Sequence, residues 1–122
     1  MPHLPTTAEI GNYGERVAAS FLRRQGYKIL TRNFKTTGGE IDLICRHGDV
    51  LAFVEVRSRA AGSWVRGAET IDARKEKALD YASHRYLELL GRDDVTYRFD
   101  AVEIQLKPGE IPICILLPNI FA

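Results

Sequence analysis

The sequence predicts an α/β domain whose elements run helix, three strands, helix, strand and a short closing strand, and three observations carry that reading. Two stretches repeat apolar residues at helical spacing, at about residues 7–25 and 71–90. Between them, Gly48-Asp49 joins two alternating, β-branched runs as a two-residue hairpin turn would. After the second helix, Thr96 to Leu106 alternates as a strand does. The 122 residues, 45% of them hydrophobic, suit one globular domain with a modest core, spanning 1–122.

The first helix starts at Thr6, spaced from Glu9 as in a capping box, and its apolar stripe is Ile10, Tyr13, Gly14, Val17, Ala18, Phe21 and Leu22. Gly26 ends it. Gly11 and Gly14 each cost up to about 1 kcal/mol relative to Ala inside a helix, which implies that another backbone approaches that face. Glu15 flanks the stripe, either leaning over the sheet edge or exposed among neighbouring arginines.

Tyr27 to Phe34 reads as the first strand and Thr36-Thr37-Gly38-Gly39 as its turn. In the hairpin that follows, counting back from Gly48-Asp49 pairs His47 with Val50, Cys45 with Ala52, Leu43 with Val54, Asp42 with Glu55, Ile41 with Val56 and Glu40 with Arg57. One face, Ile41/Val56, Leu43/Val54 and Cys45/Ala52, is wholly apolar and reads as core. On the other face Asp42 stands opposite Glu55, where Cβ atoms lie roughly 4.5–5.5 Å apart and like charges destabilise the pair. A divalent cation would compensate them, and so would Arg57.

Arg57 to Gly67 reads as a loop, and its Trp64 suits either stacking on bases or covering the core edge. The second helix carries Ile71, Ala78, Leu79, Ala82, Tyr86, Leu89 and Leu90 on its stripe, with Lys75 on the same line. A lysine there needs an outlet to water or an acidic partner, and the hairpin carboxylates are candidates. Gly91 ends the helix. Pro108-Gly109 turns the fourth strand into Ile111 to Leu117, whose Pro112 suits a sheet edge.

The formal net charge of +1 hides an asymmetry. Arg16, Arg23, Arg24, Lys28, Arg32 and Lys35 follow one another with no acidic residue between them, as a phosphate-binding lobe or a solvated face would. No apolar run approaches the roughly 18 residues of a membrane helix, and the first residues lack a leader pattern, so a cytoplasmic protein is expected. Cys45 and Cys114 lie in apolar runs without a metal-binding spacing and read as buried thiols. There is no P-loop, GxGxxG or Ser/His/Asp spacing.

The element order, with Asp42, twelve intervening residues and then Glu55-Val56-Arg57, resembles the PD-(D/E)XK nuclease superfamily. More narrowly, Gly11-x-x-Gly14-Glu15-x-x-Ala18, Gly26-Tyr27, Arg32-Asn33-Phe34, Gly39 to Ile44, Phe53 to Arg57 with Arg59, and Arg98-Phe99-Asp100 resemble the YraN family. These are bacterial proteins predicted to be endonucleases related to Holliday-junction resolvases, and the resemblance runs from about Gly11 to Glu103. It implies a restriction-endonuclease-like αβββαβ core, a mixed sheet flanked by two helices, with the C-terminal strand as an addition. It further implies a Mg²⁺- or Mn²⁺-dependent endonuclease hydrolysing DNA phosphodiester bonds in structured or branched DNA, and a homodimer. Asp42, Glu55 and the Val56 carbonyl are the implied metal ligands, and Glu15 the acidic residue from the first helix. Arg57 departs from the superfamily's usual Lys, and an arginine cannot serve as a base. The resemblance suggests Lys75 as the substitute from the following helix. The same departure leaves open a nucleic-acid-binding or assembly module without turnover.

Overall fold

The computed structural model describes residues 6–60, 72–92 and 94–121, so Trp64, Ile71 and Asp93 lie outside the described residues. Its elements are α1 (Thr7–Arg24), β1 (Lys28–Lys35), β2 (Glu40–His47), β3 (Val50–Ala60), α2 (Ala73–Leu90), β4 (Thr96–Leu106) and β5 (Ile113–Leu117). The five strands form one sheet in sequence order, antiparallel except where β3 and β4 run parallel. A parallel pair needs a crossover connection, and α2 lies within it. This is the expected restriction-endonuclease-like αβββαβ order with an added C-terminal strand.

Both faces of the sheet are covered. Ala18, Ala19 and Leu22 of α1 pack with Leu43, Cys45, Ala52, Val54, Val102 and Ile104, while Leu79 and Ala82 of α2 pack with Ile41, Ile44, Leu51 and Phe53. Two expectations are corrected here. Ile41 lies with Ile44 on the α2 side rather than with Leu43, so the two-residue alternation of β2 slips across Asp42. On the neighbouring strand Asn33 sits between the Arg32↔Leu43 and Phe34↔Ile41 pairs with φ of 52°, so the slip coincides with a left-handed residue in β1. The second correction concerns β3, which runs to Ala60 rather than ending at Arg57, because β4 pairs with it residue for residue as far as Ala60↔Leu106.

Local chemistry sets the helix ends. Thr6 Oγ1 accepts the Glu9 N–H at 3.1 Å, satisfying an orphan amide. At the other end Tyr27 N–H donates to Leu22 O and Gly26 N–H to Arg23 O, with Gly26 at φ 91°, a Schellman closure in which Leu22 and Tyr27 both join the core. Of the two α1 glycines, Gly14 has a tight neighbour, since a Cβ there would collide with the Ser58 side chain of β3. Gly11 has nothing within 4 Å, so it does not mark a close approach.

The fully buried Asp100 is the centre of a polar clamp. It accepts from Arg98 Nε at 3.0 Å, Tyr27 Oη at 2.8 Å and the Asn119 amide at 2.8 Å. Arg98 also bonds the Tyr27 hydroxyl and His47 Nδ1, and the Tyr27 and His47 rings stack at 4.2 Å. One carboxylate thus ties the start of β1, the hairpin tip, β4 and the C-terminal tail together.

The left-handed residue supplies a test of this geometry. Asn33→Gly should leave stability within about 0.5 kcal/mol, whereas Asn33→Val should cost roughly 1–2 kcal/mol because a β-branched side chain opposes positive φ. Chemical denaturation of the two variants measures the difference, and equal stabilities would contradict the left-handed conformation at Asn33.

Candidate metal centre

The hairpin ladder runs from His47↔Val50 at the turn to Leu43↔Val54, in the register that Gly48-Asp49 dictates. Gly48 has φ of 63°, the positive angle that a two-residue turn with Gly first requires. The expected rungs Asp42/Glu55, Ile41/Val56 and Glu40/Arg57 are corrected here: the ladder ends at Leu43, and the Asp42 side chain takes over, its Oδ2 accepting the Val56 N–H at 2.8 Å. A strand residue sends its N–H and C=O to the same edge, so the Val56 carbonyl leaves β3 on this side too.

Glu55, 7% exposed, follows Val54 and is met from α2 by Lys75, whose Nζ lies 2.9 Å from Glu55 Oε1. Lys75 thus finds an acidic partner while keeping an outlet to water, with 38% of its side chain exposed. Two local devices set α2 at that position. Asp72 caps the helix by accepting the Lys75 amide at 2.9 Å. The turn between β1 and β2 lies flat on the helix, where a Cβ at Gly39 would run into the Ala78 carbonyl and one at Gly38 would come within 2.6 Å of the Tyr81 ring. No larger residue allows that approach.

The electrostatics follow from burial. Desolvation, then the charge of Glu55, push Asp42 from 3.8 up to about 7; Glu15 on α1 adds to the push, while the Val56 amide and Lys75 act against it. For Lys75, burial works to lower the pKa, but the hydrogen bond and charge of Glu55, with Asp42 behind it, outweigh burial and leave it above the usual lysine value. The ammonium therefore stays charged at neutral pH and is no base. Burial lowers the half-buried Arg57 guanidinium from its ordinary value, and Glu55, Glu103 and Asp42 partly offset this. Arg59 pairs with Glu103 at 3.2 Å.

The candidate metal and catalytic residues thus act on one locality: Asp42 from β2, Glu55, Val56 and Arg57 from β3, Lys75 from α2 and, through its charge on Asp42, Glu15 from α1. Among the described residues no three His, Cys, Asp or Glu side chains gather closely enough to cage a metal ion. The donors on offer are two carboxylates and one main-chain carbonyl. That set fits a small hard dication such as Mg²⁺ or Mn²⁺, which takes one or two carboxylates and keeps water in its other positions. Lys75 balances only one of the two carboxylates, and burial with the charge of Glu55 still leaves Asp42 raised. No sequence pattern marks the Asp42 bond to Val56, whereas the Gly38-Gly39 pair beside an acidic strand is a visible cue to the close approach of α2.

Comparison with known proteins finds that the Uncharacterised protein family UPF0102 matches residues 14–104. The chain is 39% identical over 112 residues to a UPF0102 protein of Symbiobacterium thermophilum, covering 92% of this chain and 95% of that one. It is 41% identical over 99 residues to one from Hahella chejuensis, covering 81% and 80% of the two chains. A third, from Alkaliphilus oremlandii, is 38% identical over 100 residues, covering 80% of this chain and 86% of its own. The matched stretch contains Glu15, Asp42, Glu55, Val56, Arg57 and Lys75.

The raised Asp42 makes a signed prediction for the metal-free protein. Its folded pKa of about 7 exceeds the ordinary 3.8, so its contribution to stability is present below about pH 4 and is lost as pH rises through 7. Asp42→Asn keeps an acceptor for the Val56 amide and removes the charge. It should raise Tm by roughly 5–10 °C at pH 8 and change it little at pH 4, as read by thermal melts in EDTA. A variant no more stable than wild type at pH 8 would contradict the burial of Asp42 beside Glu55.

Proposed function

This chain belongs to the UPF0102 family, the YraN family that its motifs resemble, and we propose that it is a metal-dependent endonuclease of the PD-(D/E)XK superfamily acting on DNA. The single observation that carries the reading is the pairing of two carboxylates from adjacent strands with a lysine from the crossover helix. Asp42 turns onto the Val56 amide, and Lys75 Nζ reaches the buried Glu55 at 2.9 Å. Asp42, Glu55 and the Val56 carbonyl would hold Mg²⁺ or Mn²⁺. Bound there, such an ion supplies positive charge for the scissile phosphate and lowers the pKa of its water.

The chain's own residues divide the remaining work. Lys75 brings a fixed positive charge beside the carboxylates, suited to the charge that builds on a phosphate oxygen during attack. Arg57 offers a planar fork of donors to a second phosphate oxygen, a positioning task that needs no proton transfer. Asp42 would have to give up its proton to serve as a ligand, and Glu15 adds negative charge behind it. Arg16, Arg23, Arg24, Lys28, Arg32 and Lys35 are all exposed along α1 and β1, which supports contact with a nucleic-acid backbone. A preference for branched or structured DNA and action as a homodimer follow from the family resemblance. No helix among the described residues is long and apolar enough to cross a membrane.

The test is cleavage of labelled four-way-junction, flap, duplex and single-stranded DNA by wild type, Asp42→Asn, Glu55→Gln and Lys75→Met, with Mg²⁺, Mn²⁺ or EDTA. Wild type should cut only with metal, and the two carboxylate variants should fall at least about 100-fold. Lys75→Met should lose roughly 10²–10³ in rate while still binding DNA. Carboxylate variants as active as wild type would overturn the reading. A folded wild type that binds DNA identically with and without metal, and cuts none of these substrates, would favour a binding module.

A further inference from the structure

The two edges of the sheet are built differently. β1 carries exposed Lys28, Arg32 and Lys35, an irregular register between Ile29 and Thr31, and the left-handed Asn33, all devices that discourage another strand from pairing there. β5 has none of them. Its sequence, Ile113-Cys114-Ile115-Leu116-Leu117, holds no charge, and it follows β4 in unbroken register from Gln105↔Ile113 to Ala101↔Leu117. Three isoleucines at alternate positions on it and just before it are exposed: Ile111 at 90%, Ile113 at 56% and Ile115 at 40%. An uncharged, regular edge with apolar side chains turned to water is a template for a further strand.

We propose that the open edge of β5 pairs antiparallel with β5 of a second copy of this chain, about a two-fold axis at Ile115. The strand's own sequence selects that occupant. Pro112 and Pro118 stand three residues on either side of Ile115, and proline, lacking an N–H, ends a ladder. A two-fold axis at Ile115 sets each Pro112 against the partner's Pro118, so both copies run out of donors at the same rung. Inside those limits Ile113 meets the partner's Leu117, Cys114 meets the partner's Leu116, and Ile115 meets the partner's Ile115. Every rung is apolar against apolar, with no like-charge cost. Ile113, Ile115 and Leu117 share one face, so pairing sets the exposed Ile113 and Ile115 of both copies side by side in one apolar stripe. A nucleic-acid strand finds no cation on β5 to bind.

Sedimentation equilibrium without metal or DNA tests this independently of any nuclease activity. Wild type should dimerise with rising concentration, and Ile115→Lys and Ile113→Lys should each weaken the dimer at least about tenfold, circular dichroism confirming the fold. In a Cys114→Ala background, Ile115→Cys should oxidise to a covalent dimer, since directly opposed residues lie about 4.5–5.5 Å apart at Cα, within disulfide reach. Ile111→Cys, outside the paired segment, should cross-link far more slowly. A wild type that stays monomeric to about 1 mM, or a dimer that both lysine variants leave intact, would overturn the proposal. Should the lysine variants fail to fold, the cysteine pair decides: no preference for position 115 over 111 counts against it.

Discussion

Two carboxylates share a site from which water has largely been removed, and much of the surrounding structure follows from that. Glu55 is buried on β3 and Asp42 faces it from β2, so ionising both costs far more than it would in water. The chain offsets this in three ways. It spends a main-chain amide on Asp42, brings one ammonium to Glu55, and lets Asp42 keep its proton to about pH 7. Above about pH 7 Asp42 adds a second negative charge that Lys75 alone does not balance, and under the proposed chemistry a dication would balance it.

Holding Lys75 within reach of Glu55 requires the helix to sit low on the sheet. Gly38 and Gly39 permit that by leaving no side chain between the β1–β2 turn and α2, and the Thr36 hydroxyl, bonded to the Gly39 carbonyl at 2.6 Å, closes the turn beneath. On the other side of the sheet Gly14 lets α1 close on Ser58, carrying Glu15 toward Asp42. The Asp100 clamp works in a different part of the sheet, fixing the hairpin tip and the tail so that the strands cannot slide along one another. Rigidity there is what a site assembled from four separate elements needs.

Much of this could be read from local sequence. Gly48-Asp49 sets the hairpin register as far as Leu43↔Val54, and helical spacing places Lys75 inward, where it finds Glu55. Strand β4 has the expected bounds because its alternation is strong. What was hidden depends on neighbours distant in sequence. Arg57-Ser58-Arg59 looks like the start of a loop until β4 is laid beside it, and the change of face across Asp42 lies opposite a left-handed Asn33 that no local pattern marks. Asp100 reads as an ordinary strand acid, and only the fold brings Tyr27, Arg98 and the Asn119 amide to it. Gly11 shows the opposite error, since a helical glycine implied a close neighbour where there is open space.

The most direct test of the central claim is calorimetric titration of Mn²⁺ into the protein from pH 5.5 to 8, in buffers of differing ionisation heat. A carboxylate must lose its proton to become a ligand, so affinity should climb with pH up to about 7 and level off above it. Close to one proton should be released per ion at the acidic end and almost none at pH 8, and Asp42→Asn should abolish the release. Binding of the same strength at every pH with no proton released, or binding unchanged in Asp42→Asn, would contradict an acidic pair waiting for a cation.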